Sequence, residues 1–137
     1  MLKSLYRGVA GVALLAGAAQ AQDLKFAPGE DAQFNWASYE ALKSMDLKGQ
    51  KLRLFGPWIT EDQKLVESAI AYFEAATGAD VEYTGSDSFE QQIVIDAEGG
   101  SPPDVAVFPQ PGLAADLAKK GRLVPLADGT DQWLKDH

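Results

Sequence analysis

Between residues 51 and 121 the apolar pattern switches repeatedly between a strand-like and a helix-like period, and that alternation limits the fold more than any other feature. KLRLF at 51–55 alternates apolar and polar side chains, as a strand does, and Gly56-Pro57 ends it. Thr60 with Gln63 has the form of a capping box. Leu65, Val66, Ala69, Ile70, Phe73 and Ala76 then recur at three- and four-residue steps, which predicts an amphipathic helix with one buried stripe and a stop at Gly78. VEYT at 81–84 reads as a second strand, followed by a GSDS loop at 85–88 that can cap a helix. Residues 89–98 carry two signals. Ile93-Val94-Ile95 has strand character, whereas Phe89, Gln92, Ile93 and Ala97 fit a helix face, and the alternating order favours helix. After the GGSPP break at 99–103, VAVF at 105–108 is an unbroken apolar run, expected for a central parallel strand covered on both faces. Residues 112–120 predict a helix with Leu113, Leu117 and Ala118 inward and Gly121 as its stop. Residues 123–126 read as an edge segment, because Pro125 bars a central strand.

The expected class is therefore α/β: a parallel sheet with helices on both faces and right-handed crossovers. Ligands of such sheets bind outside the carboxyl ends of the strands, here residues 56–61, 85–88 and 108–112. Residues 131–137 look like a helix interrupted in progress, and three strands make a thin sheet for this class. The expectation is that the chain is the first part of a longer protein.

Ahead of the body, residues 22–50 form an N-terminal extension. KFAPGEDAQ reads as a loop, and Phe34, Trp36, Tyr39, Leu42 and Met45 predict a short helix over 35–44 packed on the body. Residues 1–21 read as a cleavable signal peptide. Lys3 and Arg7 make a positive start, residues 9–19 contain only Gly, Ala, Val and Leu, and Ala19-Gln20-Ala21 supplies the small-x-small site, with cleavage between Ala21 and Gln22. The apolar run is well short of the ~20 residues that span a bilayer. With no cysteine after it, no lipid anchor is expected. The expected location is the bacterial periplasm, and the domain plan is 1–21 signal, 22–50 extension and 51–137 partial α/β lobe.

Of the 12 Lys and Arg residues two lie in the signal segment, so ten remain against 20 acidic residues, a formal charge of −10. Such a surface repels polyanions, which argues against nucleic acid and anionic membranes as partners. Without cysteine there is neither disulfide nor thiol chemistry. The single histidine, His137, leaves no His–Ser arrangement and no histidine pair for a metal. The first strand is followed by GPWIT, neither a dinucleotide fingerprint nor a phosphate loop. No cofactor is expected, and the protein is read as a non-enzyme.

The strand ends are instead aromatic, polar and non-basic: Trp58 after the first, Phe108 closing the third and Gln110 following it. Aromatic rings stack on the C–H faces of sugars while carboxylates and amides meet the hydroxyls, so this set suits a neutral polyol better than an anion. Each residue also has a plainer reading. Trp58 can be loop packing, Phe108 core, and Ser86 and Asp87 turn and cap residues. A glycosidase pair drawn from Glu61, Asp62 and Asp87 is a further alternative.

Thr77-Gly78, Pro103-Asp104, Gly121-Arg122-Leu123 and Pro125-Leu126 occur in the order that marks the family 1 extracellular solute-binding proteins, the receptors of carbohydrate ABC importers, and residues 51–126 resemble that family. The extension KFAPGEDAQFNWASYEALKSMDLKGQ, the loop FGPWITED and the run FEQQIVIDAEGGSPPDVAVFPQPGL are similar to its α-glucoside-binding branch, whose members carry sucrose, maltose, trehalose and similar disaccharides to a membrane permease. The resemblance implies part of the first lobe of a type II periplasmic-binding-protein fold. It implies a neutral disaccharide and a permease as partners and a monomeric receptor. It places ligand contacts at Trp58, Thr60 and Glu61 after the first strand and at Phe108, Pro109 and Gln110 after the third; Asp87 joins them from the second loop. Maltose-binding relatives have an acid after the third-strand aromatic, whereas Pro109-Gln110-Pro111 supplies none. Two alternatives stand beside this reading: a non-binding remnant of such a receptor, and an extracytoplasmic carbohydrate-active enzyme.

Overall fold

The computed structural model describes residues 24–127 and 129–136. The signal segment with its Ala21–Gln22 cleavage point, and His137, lie outside the described residues. The elements run α1 (Trp36–Leu42), β1 (Lys51–Gly56), α2 (Thr60–Thr77), β2 (Asp80–Gly85), α3 (Phe89–Gly99), β3 (Val105–Ala106), α4 (Pro111–Lys119) and α5 (Thr130–Asp136). The α/β alternation read from the sequence is present.

The three strands form one parallel sheet in the order β2-β1-β3. The chain steps from β1 to one neighbour, then returns past β1 to the other side. Right-handed crossovers in opposite directions put α2 and α3 on opposite faces. Alternation along β1 places Phe55 on one face and Leu52 and Leu54 on the other, with Val81 and Tyr83 of β2 beside the latter pair. Phe55 packs on Phe89 of α3, ring centroids 4.9 Å apart, and Ile93, Ala97 and Leu117 complete the buried cluster. Phe89, Ile93 and Ala97 are successive i, i+4 positions, which is why the helical reading of residues 89–98 prevails. Gln92, on the expected face, is exposed and donates to Asp96 at 2.7 Å.

Residues 24–50 dock on α2. Buried Tyr72 accepts from Phe26 N–H at 2.7 Å and donates to Phe26 O at 3.0 Å, and the rings of Phe34, Trp36 and Tyr39 surround it at centroid distances of 4.8–6.1 Å. α1 begins at a cap in which Asn35 Oδ1 accepts from Ser38 N–H at 3.1 Å. Gly78 and Gly100 end α2 and α3 in the left-handed conformation, at φ 77° and 80°.

Several expectations are corrected. β3 is two residues long and lies at the edge of the sheet among the described residues; β1 is the central strand. Val105 is 42% exposed, because apolar content reports burial but not strand order. The Thr60–Gln63 capping box does not form: Ile59 holds the N-cap position without a side-chain bond, Thr60 is the first helical residue, and Gln63 donates to Glu67 at 2.7 Å. The single stripe of α2 is also corrected. Leu65 is 61% exposed and Ala69 is exposed, whereas Ala71, Tyr72 and Thr77 are buried, since the extension covers a flank that periodicity alone leaves to solvent. Ala118 of α4 is exposed, and residues 123–126 form no strand.

β3 is tied to β1 by a charged clamp. Arg53 N–H donates to Asp104 Oδ2 at 2.8 Å, Arg53 Nη2 to Pro102 O at 2.7 Å and Asp104 N–H to Arg53 O at 3.0 Å. Val107 N–H donates to Phe55 O at 2.9 Å at the far end.

Candidate functional site

In the order β2-β1-β3 the chain reverses direction across the sheet between β1 and β3, and the crevice outside the carboxyl ends of those strands is the natural ligand position. Three loops meet there. Ser86 N–H donates to Gly56 O at 3.0 Å, which joins the second loop to the end of β1. Ser86 then accepts from Phe89 N–H on its carbonyl and from Ser88 N–H on its hydroxyl, which starts α3. Asp87, between them, is exposed and accepts from Ser88 Oγ at 3.2 Å.

In the third loop, Phe108 is half-buried and meets the Phe89 ring edge-on at 5.5 Å. Gln110 caps α4, its Oε1 accepting from Gly112 N–H at 2.7 Å, and its amide donates to Glu90 of α3 at 3.3 Å. In the first loop, Trp58 is 36% exposed, and its backbone bonds twice to the Tyr83 hydroxyl. Thr60 and Glu61 form the exposed first turn of α2, where Glu61 pairs with Lys64 at 2.7 Å. Both partners are exposed, so the pair contributes little and is free to exchange for another donor.

A shallow cleft of about 240 Å³ opens between the loops, lined by Pro57, Asp87, Ser88, Phe89, Glu90, Gln91 and Pro109. Of the residues proposed from sequence, Asp87 lines it. Phe108 lies beneath it against Phe89, and Gln110 is bound to Glu90 on its rim. Trp58 follows its wall residue Pro57, while Thr60 and Glu61 stand farther along the chain, in the first turn of α2. The charged groups of the lining are both carboxylates, so the cleft offers acceptors to hydroxyl donors and repels anions. Two residues were missed. Glu90 lies two residues beyond the Ser86-Asp87-Ser88 loop, in the first turn of α3. Tyr83 alternates correctly for a sheet face, and its polar tip required a partner.

Residues 56–136 match the family model described as bacterial extracellular solute-binding protein. Over its whole length the chain is 58% identical to the alpha-glucosides-binding periplasmic protein AglE of Rhizobium meliloti (strain 1021), of which it covers 31%. Over 58% of its length it is 44% identical to the osmoprotective compounds-binding protein GgtB of Synechocystis sp. (strain ATCC 27184 / PCC 6803 / Kazusa), of which it covers 19%. The chain thus spans less than a third of either relative.

Proposed function

Because the chain belongs to the bacterial extracellular solute-binding proteins, we propose that it supplies the opening part of a receptor that takes up α-glucosides of the sucrose, maltose and trehalose kind for an ABC importer. The observation that carries this reading is the convergence of three loops at the reversal point of the sheet, where the cleft presents only carboxylate charge. Polyol hydroxyls donate to Asp87 and Glu90, and Trp58 offers the apolar ring a sugar face needs. Thr60, Glu61 and Gln110 complete the polar contacts, with Phe108 as the floor through Phe89. The cleft is smaller than the roughly 300–1,000 Å³ of an ordinary ligand pocket, as one wall of a two-sided site would be. In this reading residues 1–21 direct export, residues 22–50 brace α2, and the mature receptor works in the periplasm as a monomer that delivers to a membrane permease. AglE, similar over the whole chain, favours α-glucosides over osmoprotectants as the ligand.

A hybrid receptor tests the proposal. Residues 24–137 replace the matching segment of AglE, and calorimetry follows titration with maltose, sucrose and trehalose, then with glucose 6-phosphate. Saturable heat with a disaccharide, and at least tenfold weaker binding of the phosphate, is expected. A folded hybrid silent to all three disaccharides would overturn it.

A further inference from the structure

The loop bearing Trp58 is held by a side chain from the neighbouring strand. β1 and β2 run in register with Leu54 opposite Tyr83 and Gly56 opposite Gly85. From that position the Tyr83 hydroxyl engages both polar groups of one residue beyond β1. Trp58 N–H donates to Tyr83 Oη at 3.1 Å, and Tyr83 O–H donates to the Trp58 carbonyl at 3.0 Å. Two glycines leave the space. A Cβ at Gly85 would lie 1.9 Å from the Trp58 carbonyl oxygen; one at Gly56 would lie 2.9 Å from Tyr83 Oη and 3.3 Å from Cε3 of the Trp58 ring. Immediately afterwards Thr60 adopts φ 55°, a left-handed conformation that a β-branched residue takes only when its surroundings impose it.

We propose that Tyr83, with Gly85, is a positioning residue for the ligand-contact loop: it touches no sugar but sets where the Trp58 indole stands. The inference rests on the reading of Trp58 as a sugar contact. A ring on a free loop must be ordered when ligand binds, and that ordering weakens affinity; the clasp orders it beforehand. Burial holds the Tyr83 phenol above its ordinary value of 10.0, so the O–H that donates to the Trp58 carbonyl persists throughout the neutral range.

The full chain, with 5-fluorotryptophan at its three Trp positions, gives fluorine resonances assignable by Trp58→Phe. Tyr83→Phe keeps the ring and removes both bonds. It is expected to move the Trp58 resonance towards that of a solvated indole and to raise exchange of the Trp58 amide about tenfold, with the Trp36 resonance in place. Gly85→Ala is expected to displace the same resonance. Either variant, folded and with an unshifted Trp58 signal, overturns the proposal. So does a Trp58 amide that exchanges in the wild-type chain at an unprotected rate, a check that needs no variant. In the hybrid receptor, Tyr83→Phe is expected to weaken disaccharide binding about tenfold. Loss of binding with Trp58→Ala but not with Tyr83→Phe removes the positioning role alone. Unchanged binding with Trp58→Ala removes the sugar-contact reading and leaves the clasp to the spectra.

Discussion

Asp104 does three things at one position. It immediately precedes β3, accepts from the backbone of Arg53 and pairs with the Arg53 guanidinium at 3.4 Å. Those contacts, the Arg53 backbone N–H foremost and then its side chain, hold the Asp104 carboxyl below its ordinary value of 3.8. A carboxyl depressed by folding contributes stability above its unfolded pKa and loses it as pH falls through the folded value. Asp104→Asn is therefore expected to lower the urea midpoint at pH 7 and to flatten its decline below about pH 4. Identical pH dependence in variant and wild type would show that the clamp does not act this way. The Pro103-Asp104 pair was visible in the sequence as a mark of resemblance. Its physical task was not, because the partner lies 51 positions away.

At the scale of elements, the two faces of the sheet are built differently. α3 is fixed by an apolar stripe, so Phe89→Ala, which empties a site that is 1% exposed, is expected to cost about 3–5 kcal/mol. Of a total stability of about 5–15 kcal/mol this is enough to abolish a cooperative urea transition or shift it far down. α2 is fixed partly by hydrogen bonds to the extension. Tyr72→Phe keeps the ring cluster and removes the two bonds to Phe26. Roughly 1 kcal/mol of destabilisation is expected, with faster amide exchange at Phe26 and little change in α3. Exchange rising equally in α3 would mean that the extension and body unfold as one unit. Local signals made α3 readable: an i, i+4 stripe, a glycine stop and a turn in front. On α2 the deciding contact comes from residues 24–50, far along the chain, where local periodicity carries no signal of it.

For the molecule as a whole, β-α alternation and the loops at strand ends were legible, because both follow from short-range period and turn chemistry. The order β2-β1-β3 was not, since apolar runs carry no record of which strand they neighbour. Nor was the difference in standing among the proposed site residues. Asp87 lines the cleft, Gln110 is engaged by Glu90, Phe108 is packed below, and Trp58 depends on Tyr83. A site assembled from three loops is read from their convergence, and convergence is a property of the sheet. The proposed assignment of the acidic cleft as the sugar site implies a selectivity, with charged sugar phosphates expected to bind at least tenfold more weakly than neutral disaccharides at low salt. Equal affinity for both classes would contradict it.

The most direct measurement is the disaccharide Kd of the hybrid receptor with and without Trp58→Ala, compared with Val124→Ala on the exposed segment after α4. Trp58→Ala is expected to weaken the Kd at least tenfold and Val124→Ala to leave it unchanged. A Trp58→Ala receptor that binds as tightly as its parent would contradict the assignment of Trp58 as a sugar contact beside the crevice between β1 and β3.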